Sequence, residues 1–295
     1  MKILITGATG FIGKHLIKDL IHLQYDIHCI VRLNSNLLEI NSNVKIFKYN
    51  QNVDELIKYF KKEEFDGIIH LASLFLTSHT PNDIQNLISS NIKFGIELLE
   101  ACKKTNVKWF INTGTFWQNY KNENYNPVNL YAATKEAFQN ISKFYTQTSN
   151  LIFTTIKLND TFGPDDTRNK IFNLWHRIIK NNETLEMTAG EQIIDISYIE
   201  DVISAYKILI KDLNSNNKEF FNNKEFVITN NEKIKLKELS KLFEEATNSK
   251  LNIIWDKKPY KEREVMIPYN KGCTIPNWSQ KYSLKEAIKK TLEIN

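Results

Sequence analysis

Cysteine is scarce in this chain of 295 residues, which holds three: Cys29, Cys102 and Cys273. They are widely separated and show no metal-ligand spacing, and their odd number and scatter argue for a reducing compartment. No metal site is expected. Cys29 falls in a strand pattern and Cys102 in a helix pattern, so both read as small core residues rather than nucleophiles. Long apolar runs are missing too; none approaches the ~20 residues of a membrane-spanning helix. The apolar N-terminus is broken at once by Thr6 and Gly7 and shows no cleavage pattern, so a cytoplasmic protein with no membrane contact is expected. Long basic blocks are absent as well. The net charge of +5 is spread among many Lys, Asn and Glu residues, which argues against nucleic acid and would suit a doubly negative small substrate. There is no internal repeat and no low-complexity linker.

What is present begins at the first residues. Ile3, Leu4 and Ile5 form a continuous apolar run, the pattern of a parallel strand buried on both faces. The run enters Gly7-Ala8-Thr9-Gly10-Phe11-Ile12-Gly13 and then Lys14 to Leu23, where Leu16, Ile17, Leu20, Ile21 and Leu23 recur at helical spacing. Gly7 permits a tight turn, Gly10 lets backbone approach a pyrophosphate, and Gly13 lets the helix pack close to the strand. The helix N-terminus then turns free N–H groups and the positive dipole end toward the phosphates. This is a dinucleotide cradle, and Gly7, Thr9, Gly10, Phe11, Ile12 and Gly13 are its candidate residues.

The end of the second strand selects the dinucleotide. Asp26 to Val31 reads as that strand, and an acidic residue at its end would bond a ribose 2′-hydroxyl. Here Arg32 follows Val31, with Asn34 and Ser35 as further donors and no carboxylate until Glu39. A missing acid and a present base both predict NADP(H), with NAD(H) as the alternative.

Strands and helices alternate along the chain in the manner of a doubly wound sheet. Further strands are expected over Val44–Tyr49, Gly67–Ala72, Val107–Asn112 and Phe153–Leu158, and helices over Asp54–Lys61, Ile84–Lys104 and Val128–Thr148. Beyond Gly163-Pro164 the pattern loosens. Gln192–Tyr198 and Glu200–Lys211 read as a return to the main sheet, Lys235–Thr247 as an amphipathic helix and Leu284–Leu292 as a closing one. The expected fold class is α/β: a doubly wound parallel-sheet Rossmann domain over residues 1–160, to which 192–212 return, with a smaller C-terminal substrate-binding lobe over most of 161–295.

The chemistry clusters around the fifth strand. Tyr131 and Lys135 stand at i and i+4, on one helical face. A free phenol has a pKa near ~10. A nearby ammonium and the positive nicotinamide ring of an oxidised cofactor would both favour phenolate and bring that value down. Lys135 can also bond the nicotinamide ribose. The fifth strand ends Ile111-Asn112-Thr113-Gly114-Thr115, bringing hydroxyls to the carboxyl edge of the sheet, where ligands bind. Thr113 or Thr115 could polarise a substrate carbonyl.

With Gly7, Gly10 and Gly13, His70-Leu71-Ala72-Ser73, Asn91, Thr113, Tyr131 with Lys135, and Phe162-Gly163-Pro164 in place, the chain resembles the extended short-chain dehydrogenase/reductases that act on nucleotide sugars, the NAD-dependent epimerase/dehydratase family. The resemblance covers nearly the whole length. The runs Thr113–Gln118, Asn129–Lys135, Asp160–Asp166 and Glu262–Met266 look most like CDP-paratose and CDP-abequose synthases, which are 4-ketoreductases of nucleotide-linked deoxysugars. The resemblance implies catalytic roles for Thr113, Tyr131 and Lys135, with Thr113 on the carbonyl, Tyr131 as acid and Lys135 on the ribose. It also implies cofactor contacts from Leu71, Ala72, Ser73, Asn91 and Asn50, and a two-fold four-helix homodimer.

Departures from the wider family sharpen the reading. Dehydratases of this fold follow the catalytic threonine with an Asp-Glu pair; here Gly114 and Thr115 stand there, so water elimination is not expected. Many relatives bond the substrate diphosphate with an Arg before the Asp of an Arg-Asp-aromatic motif; Ile194 precedes Asp195 here. Arg263 becomes the diphosphate candidate, with Arg168 and Lys170 behind it. Asp160 either bonds a sugar hydroxyl or caps the turn at Gly163. The leading expectation is an NADPH-dependent 4-keto reductase of a nucleotide sugar. The alternatives are a nucleotide-sugar epimerase with retained NAD(P), and a non-catalytic NADP-sensing protein, a class that usually lacks the Tyr-Lys pair.

Overall fold

Alternation along each strand sends neighbouring side chains to opposite faces, and this sorts the sequence into a three-layered arrangement. The computed structural model describes residues 1–38, 40 and 42–292; Glu39, noted above, lies outside them. In chain order come β1 (Lys2–Thr6), α1 (Phe11–His22), β2 (Asp26–Arg32), β3 (Lys45–Tyr49), α2 (Val53–Glu63) and β4 (Gly67–His70). A short α3 (Ile84–Ile88), a π-helical turn (Ser89–Lys93) and α4 (Phe94–Thr105) lead to β5 (Trp109–Thr115), α5 (Leu130–Thr148) and β6 (Ile152–Leu158). Beyond lie β7 (Asp160–Phe162), α6 (Ile171–Asn181), β8 (Leu185–Glu186), β9 (Ile193–Ile194), β10 (Ile196–Tyr198) and α7 (Ile199–Leu213). The chain ends through β11 (Lys224–Ile228), β12 (Ile234–Lys235), α8 (Leu236–Thr247), β13 (Ile253–Ile254) and α9 (Leu284–Leu292).

The main sheet has seven strands in the order 3-2-1-4-5-6-11, and every pairing in it is parallel. The order reverses between β1 and β4, which opens a crevice at their carboxyl ends. Leu4, Ile30, Ile68, Phe110 and Phe153 face one way, onto Leu56 and Phe60 of α2, Leu98 and Leu99 of α4 and Phe138 of α5. Ile3, Ile5, Ile69, Trp109 and Ile111 face the other, onto Leu16 and Leu20 of α1 and Tyr206 and Leu209 of α7. Each such side chain, fully buried, contributes on the order of 1.5–3 kcal/mol. The second apolar layer continues without a break into Trp175 of α6, Phe243 of α8 and Ile288 of α9.

Three elements differ from expectation. The helix expected over Ile84–Lys104 is interrupted by the π turn, whose extra residue swings Asn91 inward, where it is 1% exposed. The segment Gln192–Tyr198 does not join the main sheet: β10 pairs with β7 and β9 with β12. Only the helix of that expected return, α7, comes back, packing beside α1. The seventh strand is instead β11, whose apolar stretch is only Phe226–Ile228 and which follows a polar, Asn-rich loop that masks it in the sequence.

Candidate active site

The glycine loop has the geometry its spacing implies. Gly7 sits at φ +73°, and a Cβ there would come within 2.7 Å of the Ala72 amide nitrogen, so the end of β4 closes directly over the turn. At Gly13 a Cβ would strike the Gly7 carbonyl at 2.3 Å. At Gly10 it would meet only that carbonyl, at 3.2 Å, leaving space above the start of α1. Gly10 itself caps α1 with no side-chain bond, and the first turn carries no acidic residue. The first-turn amides are therefore open to an anion. Thr9 is exposed, Phe11 buried and Ile12 half-buried around them. Arg32 ends β2 as an exposed side chain, two residues beyond Ile30, which pairs with Thr6. These residues suit a dinucleotide. Asn50, past the end of β3, shapes its own turn: Oδ1 accepts from the Asn52 amide at 3.0 Å and Nδ2 donates to Glu55 at 2.9 Å.

The loop after β4 is fastened from two helices. Asn91 Oδ1 accepts from Ser73 Oγ (3.1 Å) and the Leu74 amide (2.7 Å), while its Nδ2 donates to the Leu74 carbonyl and Thr134 Oγ1 (3.0 Å each). Two acceptor and two donor bonds exhaust the amide. Asn91 thus holds the loop, and its side-chain amide is fully engaged within the protein. Asn129 N-caps α5 through the Ala132 amide and donates to the carbonyls of Leu76 and Thr77. Thr6 Oγ1 ties the same segment from below, meeting the Ala72 amide at 3.2 Å and His70 Nδ1 at 2.8 Å. Leu71, Ala72 and Ser73 are left along the switch point, against the glycine turn.

Tyr131 and Lys135 share a face of α5, whose first turns lie over the carboxyl end of β5. The Tyr131 ring meets Phe75 edge-on at 5.1 Å, and Phe75 in turn packs on Trp117 at 5.5 Å. Burial pushes the Tyr131 phenol up to about 12, the Ser73 hydroxyl beside it acting against this and the Asp160 charge adding to it. The phenol of the protein by itself thus stands above its ordinary value, desolvation being the largest cause, whereas the lowering expected above was for the complex with an oxidised cofactor. Lys135 is 2% exposed, and burial brings its ammonium down to about 8. At neutral pH Tyr131 therefore carries its proton, as an acid must. Thr113, half-buried at the end of β5, has its Oγ1 2.6 Å from Tyr206 Oη on α7.

Of the expected substrate residues, each meets a different neighbourhood. Thr115 is 9% exposed and caps the following turn, its hydroxyl accepting from the Trp117 amide at 3.3 Å and its own amide donating to Gln118. Asp160 does not cap the Gly163 turn; it pairs with Lys170 at 2.6 Å, and Lys170 lies 4.8 Å over Phe75. Arg168 grips Asp166 through Nε and Nη2 (2.7 and 2.8 Å), bonds the Thr161 carbonyl, and stacks 4.2 Å from the Phe11 ring. It braces the 161–168 turn against α1. Arg263 lies 4.5 Å over Tyr120, bonds Asn126, and keeps a buried Nε with no partner among the described residues.

Sequence reasoning missed Phe75, Trp117, Tyr120, Asn126 and Tyr206, aromatic and amide positions in loops or a distant helix that no spacing rule marks. It also missed Lys157, buried in β6, whose ammonium supports the loop from below through Asn119 (3.0 Å) and Glu225 (2.6 Å). A cavity of about 720 Å³ lies against α1, lined by Ala8 and Phe11 of the glycine loop as well as His15, Phe172, His176 and Phe243; it includes none of Thr113, Tyr131 and Lys135. Among the described residues no helix is long and apolar enough to cross a membrane.

Known proteins resemble this one at three levels. The family model described as the NAD dependent epimerase/dehydratase family matches residues 3–223. CDP-abequose synthase of Salmonella muenchen is 28% identical, across 99% of this chain and 97% of its own. That of Yersinia pseudotuberculosis is also 28% identical, across 98% of both. Among solved structures, UDP-glucose 4-epimerase of Thermotoga maritima with UDP-glucose superposes with a TM-score of 0.83 at 23% identity, covering 100% of this chain and 98% of that one. The Thermus thermophilus UDP-glucose 4-epimerase in complex with NAD gives 0.82 at 19%, with the same coverage. At these identities the two structures show a shared fold.

Proposed function

The chain belongs to the NAD dependent epimerase/dehydratase family of NAD(P)-dependent enzymes, and from that premise we propose that it reduces the 4-keto group of a CDP- or dTDP-linked 6-deoxy or 3,6-dideoxy sugar at the expense of NADPH. The likeness to CDP-abequose synthases over nearly all of both chains supports the substrate class. One observation carries the choice of reduction over elimination. Gly114 and Thr115, which follow Thr113, carry no carboxylate to drive an elimination, and a Cβ at Gly114 would crowd the side chains of Gln118 (2.8 Å), Lys157 and Thr155 (3.0 Å each).

When bound on the glycine loop, NADPH supplies the hydride that goes to C4. Tyr131, protonated at neutral pH, gives its phenolic proton to the C4 oxygen, so the carbonyl becomes a hydroxyl. Thr113 donates a hydrogen bond to the same oxygen and stabilises the charge that gathers there. Lys135 would bond the ribose beside Tyr131, and Arg263, its guanidinium stacked over Tyr120, would bond the diphosphate. Arg32 takes the 2′-phosphate.

The test is NADPH consumption by the purified protein against a panel of CDP-, dTDP- and GDP-linked 4-keto-deoxysugars. Stoichiometric loss of absorbance with a CDP- or dTDP-linked member is expected, and Tyr131→Phe should lower turnover roughly 10²–10⁴-fold while still binding NADPH. Sugar isomerisation without net absorbance change would point to an epimerase instead.

A further inference from the structure

Tyr206 lies on α7, 93 residues from Thr113 in sequence, and is 0% exposed. Among the described residues its hydroxyl has one hydrogen-bond partner, Thr113 Oγ1 at 2.6 Å. Either oxygen could donate across that distance, but the two arrangements differ in what they leave behind. If Thr113 donated, the Tyr206 proton would be stranded without an acceptor in the apolar layer between α7 and the sheet, the costly arrangement for a buried donor. If Tyr206 donates, its proton is satisfied, and the hydrogen of half-buried Thr113 is free to point out of the sheet edge.

We infer that Tyr206 is a positioning residue: its hydroxyl donates to Thr113 Oγ1, which leaves the Thr113 hydrogen aimed at the C4 oxygen of the substrate. This rests on the reductase reading above. The bond also polarises Thr113, because a hydroxyl that accepts one hydrogen bond donates a stronger one. Tyr206 itself touches neither substrate nor cofactor; α7 packs it against the far side of β5, where Trp109 and Ile111 share its layer.

Two measurements decide it. The Raman doublet of tyrosine, taken as the difference between wild type and Tyr206→Phe, reports whether this phenol donates or accepts. A donor signature is expected, and an acceptor signature overturns the inference. The second is a double-mutant cycle on kcat with the 4-keto sugar. Tyr206→Phe should lower kcat about tenfold with KM and the NADPH Kd unchanged, should still do so in Thr113→Ser, and should have no further effect in Thr113→Val. Additive losses in the Thr113→Val background, or a normal kcat in Tyr206→Phe, would mean Tyr206 acts only through packing. A wild type inactive on every keto sugar sinks the reductase reading, while the Raman doublet still settles the direction of the bond.

Discussion

Lys135 carries, by its burial, a cost in stability that the proposed role in binding the nicotinamide ribose would account for. It is 2% exposed, and burial is the one cause that brings its ammonium from the ordinary 10.5 down to about 8. Below pH 8 the folded protein therefore holds a charge that water would solvate better. Between pH 8 and 10.5 the unfolded chain binds more protons than the folded one, so stability from this group rises with pH across that window. Replacing the ammonium with a neutral chain of similar length, Lys135→Met, should raise Tm at pH 7 by roughly 2–4 °C. The gain should fade as the pH climbs from 8 toward 10.5, and turnover should be lost at every pH. Thermal melts at pH 7 and pH 10 check this; an equal or lower Tm for the variant at pH 7 would contradict it. Residues of this kind were legible in part. The i, i+4 spacing put Tyr131 and Lys135 on one face, but their protonation followed from burial, which no local pattern reports. The phenol of the protein by itself accordingly stands above its ordinary value.

Among the elements, β1 and the glycine turn were legible almost to the residue, because a tight turn, a close backbone approach and close helix packing each demand a particular residue within a dozen positions. The helix begins at Phe11 rather than Lys14 since Gly10 serves as its cap. Less legible was the π turn, since its extra residue is rewarded only by the four bonds Asn91 makes to partners 17, 18 and 43 positions away. The end of β2 carries the prediction of cofactor choice. With Arg32 beside the Thr6 end of β1 and no acid there, NADPH should bind more tightly than NADH by roughly ten- to a hundredfold, the range of one charge-assisted hydrogen bond. Arg32→Asp should erase that difference. Calorimetric titration of both cofactors measures it, and equal affinities in the wild type would rule the idea out.

For the molecule as a whole, helices α4 and α5 flank the active-site strand on one face, and between them Phe144 is left 57% exposed with the Lys103 ammonium 4.9 Å over its ring. An exposed aromatic on this helix pair fits a two-fold interface made by the same pair in a second copy. We expect a homodimer at micromolar concentration by sedimentation velocity, and Phe144→Glu should shift it toward monomer without changing the far-UV spectrum. A wild type that sediments as a monomer at that concentration would count against the arrangement.

The sequence alone determined what is set within a few residues: the glycine cradle, the apolar strands that must be buried on both faces, the Tyr131–Lys135 face, and the missing acid at β2. Each depends on backbone geometry or a fixed helical period, so the residue types suffice. Tertiary structure decided what depends on partners far along the chain. It joined β11 to β6 and kept β10 out of the main sheet, because edge pairing is settled by which strand reaches the open ladder. It turned Arg168 onto Asp166 and Phe11, and left Arg263 with a spare donor. It also set Tyr206 behind Thr113, where only the packing of α7 on the sheet could bring two hydroxyls 93 residues apart to 2.6 Å.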